Sequence, residues 1–172
     1  MGDDGGSGRQ PVVLGVAPGQ PDHVLSDAAR FARQFGAELV CAYVDADRFV
    51  VSEDADGRTT TSPIDPDLDD PGQEELEPAL AEHLASVLGP SGVRWSTRLL
   101  AGDTAQALGH LAETVDAAMI VVGVHGRGFA AGVQELFNRS VAVRLAHHQD
   151  RPVVVVPARS SGAEPRPPWT SA

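Results

Sequence analysis

Residues 118–128 read AMIVVGVHGRG. A run of apolar residues with no polar position to face water describes a strand covered on both sides, and the glycines after it describe a tight exit from that strand. Strands of this kind belong to parallel sheets sandwiched between helices, because an antiparallel sheet with one wet face alternates polar and apolar. The reading of the whole chain grows from this stretch.

Four other segments suit the same sheet. Residues 11–17 (PVVLGVA) are apolar and β-branched, closed by Pro18-Gly19; residues 38–45 (ELVCAYVD), 93–101 (VRWSTRLLA) and 152–157 (PVVVVP) repeat the pattern. Helices are expected between them. Leu25, Ala28, Ala29, Ala32 and Phe35 recur at three- and four-residue spacing from Asp22, with Gly36 placed to end the helix. Leu76, Leu80, Leu84, Val87 and Leu88 mark a second, in which Pro78 fits only the first turn. Asp103 offers an N-cap to a third, with Gln106 three residues on, and a last helix runs near Ser140–His148. Five strands alternating with four helices predict a single three-layer α/β sandwich with a mostly parallel sheet, and ligands in such sheets bind beyond the carboxyl ends of the strands where strand order reverses.

The chain has 172 residues and a formal net charge of −11. Between Asp45 and Glu82 stand 13 acidic residues against two Arg, which leaves 11 of each sign elsewhere. The imbalance belongs to one segment, and residues 45–72 read as a solvated acidic loop. Residues 1–9 and 159–172 read as disordered tails flanking a domain over 10–158. The acidity argues against a nucleic-acid partner, which would require a basic face. All 13 basic residues are Arg, so lysine chemistry is absent, and the single Cys41 excludes a disulfide framework. With no signal-peptide pattern and no apolar run of membrane-spanning length, a cytoplasmic protein that neither enters nor anchors to a membrane is expected.

Beyond the fourth strand, Gly123, Gly126, Gly128 and Gly132 let backbone approach an anion closely, and Asn138, Arg139 and Ser140 offer donors beside the start of the last helix. On these residues the chain resembles the universal stress protein family. DAARFARQFGAELV looks like the family's first βαβ unit, LLAGDTAQAL its third-strand turn, VVGVHGRG its fourth strand and Gly-rich loop, and RSVAVRLAHHQDRPVVVVP its closing helix and strand. The resemblance implies a Rossmann-like fold of the adenine nucleotide alpha hydrolase-like kind, a role in stress response, and a homodimer joined through Val153–Val156, an all-valine edge that would otherwise expose backbone and side chains. It also implies an adenine nucleotide, ATP or AMP, bound at Ala17, Val44, Gly123, Gly126, Arg139, Ser140 and Val141.

The family pattern G-x2-G-x9-G-S/T is only half present. Gly123 and Gly126 match its first half, but aligning Ser140 with the hydroxyl puts Arg139 where a glycine belongs and leaves 12 residues after Gly126, three more than the pattern has. Ala17 stands where nucleotide-binding members commonly have Asp, removing an acceptor. The alternative is therefore a nucleotide-free interaction protein whose phosphate pocket is altered by Arg139 and the longer loop. No catalytic residue, metal site or metal cluster is expected: His147 and His148 are adjacent and diverge on a helix, His23, His83 and His110 lack ligand spacing, and His125 reads as a polar loop residue.

Overall fold

The computed structural model describes residues 9–65, 76–124 and 141–158. In chain order the elements are β1 (Val12–Val16), α1 (Asp22–Phe35), β2 (Leu39–Asp45), β3 (Arg48–Glu53), β4 (Thr59–Pro63), α2 (Pro78–Leu88), β5 (Trp95–Ala101), α3 (Thr104–Thr114), β6 (Met119–Gly123), α4 (residues 141–148) and β7 (Val153–Val156). Five strands form one parallel sheet in the order β5-β2-β1-β6-β7. The expected α/β sandwich is the fold observed.

The strands owe their lack of a polar face to the two cores they serve. Val12, Leu14 and Val16 point into a cluster with Val24, Leu25 and Ala28 of α1 and Leu80, Leu84 and Leu88 of α2. Val13, between them, points the other way, joining Ile120 and Val122 of β6 against Leu108 and Leu111 of α3 and Leu145 of α4. The two-residue period of a strand divides it between opposite faces, and both faces here are dry. Helix ends follow the sequence: Gly36 takes φ 60° and closes α1, with Ala37 N donating back to Ala32 O at 2.8 Å, and Asp103 caps α3 by accepting from Gln106 N at 3.0 Å.

The acidic stretch departs from expectation. Where a solvated loop was expected over 45–72, residues 48–63 form an antiparallel hairpin, β3 against β4; residues 66–75 lie outside the described residues, as do the two tails apart from Arg9. The hairpin turn is built on Asp54, whose Oδ1 accepts from Asp56 N and Arg58 N at 3.0 and 2.9 Å. Arg48 is buried, its guanidinium donating to Thr61 Oγ1 and Thr61 O at 2.8 and 3.0 Å. Thr59 Oγ1 donates to Leu99 O at 2.5 Å, so the hairpin lies against the β5 edge of the sheet. The signal in the sequence was the β-branched run Thr59-Thr60-Thr61 after Asp56-Gly57, and it is faint because only one hairpin face is covered: Phe49 and Val51 are exposed. At the opposite edge, Val155 of β7 is exposed.

Gly57 tests this packing. It holds φ +71°, and a Cβ there would stand 2.8 Å from Leu111 Cδ1. Gly57→Ala is expected to destabilise the protein by roughly 1–3 kcal/mol in chemical denaturation; wild-type stability would show that the hairpin does not bear on α3.

Candidate functional site

The strand order reverses at β1, and the two strands on either side of it treat it differently. β1 pairs with β2 as far as Val16↔Tyr43. Its pairing with β6 ends at Leu14↔Val121. Beyond that pair no β1–β6 pairing follows, and the carboxyl end of the sheet between these two strands is the crevice position at which doubly wound sheets take ligands.

Each wall of the crevice follows from local sequence. Ala17-Pro18-Gly19-Gln20 turns the chain out of β1: Gln20 N donates to Ala17 O at 3.2 Å, Pro18 supplies its fixed φ and Gly19 takes φ +72°. The turn brings the Gln20 side chain back to the strand it left, where Nε2 donates to Gly15 O at 3.1 Å. Gln20 is only 5% exposed, and its Oε1 is buried with no donor. Gly123 ends β6. A Cβ on it would lie 2.8 and 2.9 Å from the Val24 methyls and 3.1 Å from Gln20 Nε2, so its glycine is required by the close approach of α1 whatever the crevice holds. Two histidines tie down the surroundings: His83 of α2 reaches Gln20 O at 3.3 Å, and His23 of α1 reaches Pro157 O at 3.0 Å.

Of the residues expected from the sequence, Ala17 follows β1, Gly123 ends β6, and Val44 lies on β2, half-buried. Val141 is buried in the same apolar cluster as Val122, with Val44 at its margin. Gly126, Arg139 and Ser140, with His125, lie outside the described residues. The β2 side of the rim is acidic: burial first, then the negative charges of Asp45, Glu77 and Asp47, push the Tyr43 hydroxyl above its usual value.

Sequence reading passed over Gln20 and Glu53, and weighed His110 only as a metal ligand. His110 Nε2 meets Glu53 Oε2 at 2.7 Å across a second cleft of about 300 Å³, between the hairpin and α3, floored by Leu100 and Leu111. The two are 57 residues apart, so no spacing rule relates them. No group of three or more His, Cys, Asp or Glu suited to a metal occurs among the described residues. Burial pushes the Cys41 thiol up to about 12, which keeps it protonated.

With this geometry in hand, known proteins can be compared. A sequence model of the universal stress protein family matches residues 8–157. The chain belongs to the universal stress protein family. A universal stress protein from Archaeoglobus fulgidus shares the fold with a TM-score of 0.59 and 19% identity, over 86% of this chain and 93% of that one. The Archaeoglobus fulgidus protein in complex with dAMP gives 0.55 and 19%, over 86% and 97%. A universal stress protein in complex with cAMP gives 0.55 and 21%, over 87% and 98%. At these identities the likeness concerns the fold. No curated protein matches the sequence significantly. Among the described residues, no helix of this universal stress protein is long and apolar enough to cross a membrane.

Asp103, at the third-strand turn, yields a test. Hydrogen bonding from Arg144, at 2.6 and 2.9 Å, lowers its carboxyl below the usual range; partial burial opposes this, and the backbone N–H of Gln106 adds to the lowering. A carboxylate whose folded pKa lies below its unfolded one stabilises the fold above the unfolded value, near 3.9, and loses that contribution as pH falls through the folded value. Asp103→Ala is expected to cost about 1 kcal/mol at pH 7, with the gap to wild type closing below roughly pH 4. Urea unfolding at pH 7 and pH 3 measures it; a gap independent of pH would contradict it.

Proposed function

We propose that this universal stress protein is a regulatory binding module of the stress response, without catalysis, that takes an adenine nucleotide, ATP or AMP, in the crevice between β1 and β6. The observation that carries the reading is that β1–β6 pairing ends at Leu14↔Val121 where the strand order reverses, with Gly123 at the end of β6. The dAMP and cAMP complexes of the two structural neighbours support it. Val44 and the backbone at Ala17 and Gly123 would lie along the nucleoside. The phosphates would be held by the residues the family resemblance assigns to them, Gly126, Arg139, Ser140 and Val141. There Arg139 would meet them with a charge-assisted bond in place of the backbone contacts that a glycine permits.

The second reading is a nucleotide-free interaction protein of the same fold. Two observations favour it: Ala17 brings no acceptor to the end of β1, and Asp45, Asp47 and Glu77 set a negative field beside the crevice. Calorimetric titration with ATP separates the two. The first reading expects one saturable site per chain, and no heat at millimolar ATP would sink it. Arg139→Gly then assigns the arginine: weaker binding makes it a phosphate ligand, whereas stronger binding means that it fills the pocket.

We also propose a homodimer through Val153–Val156. β7 is an edge of the sheet with Val155 exposed, while β5, the other edge, has the hairpin against it. Solution scattering at micromolar concentration should return twice the chain mass, and a monomer mass would count against this assembly.

A further inference from the structure

Gln20, Arg48 and Thr61 are the buried polar or charged side chains among the described residues. Arg48 and Thr61 bond to each other. Gln20 is different. Its Nε2 is satisfied by Gly15 O, and its Oε1 is shut away from solvent with no donor. The amide cannot be turned end for end to relieve this, since an oxygen would then face the Gly15 carbonyl oxygen. A buried acceptor without a partner is costly, and each such group in a native structure calls for an explanation, a functional role among them.

Its location narrows what that partner is. Gly15 is the first residue of β1 beyond the last pair with β6, and Nε2 lies 3.1 Å from where a Cβ of Gly123 would stand. The amide therefore sits between the two strands where they part, at the inner end of the crevice. Ala17, at the mouth of β1, brings a methyl group; Gln20, returned by the turn, brings an oxygen.

We infer that Gln20 is a binding residue whose Oε1 accepts from a donor on the nucleoside, either the exocyclic amino group of the base or a ribose hydroxyl, supplying the acceptor that Ala17 lacks. This rests on the nucleotide reading above. An amide oxygen suits the place, because it accepts without adding negative charge beside Asp45, Asp47 and Glu77. The last torsion of a glutamine is soft, so the amide turns toward an entering donor while its aliphatic stem stays packed.

The experiment is calorimetry on wild type and Gln20→Met with ATP, 2′-deoxy-ATP, 3′-deoxy-ATP and the purine triphosphate lacking the exocyclic amino group. Thermal melting checks that the variant folds. Gln20→Met is expected to bind ATP about tenfold more weakly. One analogue, the one missing the paired donor, should bind wild type more weakly than ATP by a similar factor yet bind the variant as ATP does. ATP binding unchanged in Gln20→Met would overturn the inference and leave the nucleotide reading intact. So would an equal loss for every ligand, which is the mark of a structural role. If the variant does not fold, wild type alone decides: equal affinity for all four ligands overturns the inference. No binding of any of them to wild type overturns the nucleotide reading, and the inference falls with it.

Discussion

A strand in the middle of a parallel sheet with helices on both faces has no wet side, and β1 is that strand. Val12, Leu14 and Val16 must be matched by α1 and α2, and Val13 by α3 and α4. The same crowding dictates its glycine. A Cβ on Gly15 would stand 3.1 Å from Leu108 Cδ1, so the helix above the strand leaves little room for a side chain there. β1 has neighbours reached by crossovers in opposite directions, and its pairing with β2 runs two residues further than its pairing with β6. The candidate site lies at that unequal end, where the Gln20 side chain bonds Gly15.

The charge of −11 acquires a structural meaning once the hairpin is seen. Part of the acidic segment folds against β5, where it satisfies the Leu99 carbonyl and sets Glu53 against His110. One sheet edge is thereby covered by the chain itself, whereas β7 forms the other edge, with Val155 exposed. Asp45 and Asp47 at the end of β2, with Glu77 before α2, place negative charge around Tyr43.

Other polar contacts that look chemically suggestive resolve into fold maintenance. Asp116 takes φ 48° and is held by Gln10 at 2.9 Å and Arg151 at 3.2 Å; the bond from Gln10, ahead of that from Arg151, lowers its carboxyl below the usual range. Arg151 also donates to Ala117 O at 2.9 Å, so this group fastens the start of β6 to the approach to β7. Asp103, read from the sequence as a cap, proves to do two things, capping the start of α3 and bridging to Arg144 on α4.

Most of the fold was legible because its signals are local. Apolar runs without a polar face, three- and four-residue periodicity from Leu25 to Ala32, Gly36 past a helix end and Asp103 before one are properties of neighbouring residues, and a chain that satisfies them all has few architectures open to it. The hairpin was harder to read because its stability comes from distant partners, Leu99 and Leu111, which its own residues do not announce. The site divided the same way. Ala17, Val44 and Gly123 were locatable from the strands that carry them. That Gly123 answers to Val24, that Gln20 returns to Gly15 with one oxygen unpaired, and that Glu53 meets His110 are contacts between residues that only packing brings together. Sequence by itself determined which segments form the five strands and four helices of the sandwich and that both sheet faces are dry, since periodicity and burial are set by side-chain type. Tertiary structure alone decided where β1–β6 pairing ends and which side chains lie there, because that depends on how far each pair of strands runs together, which no local sequence feature sets.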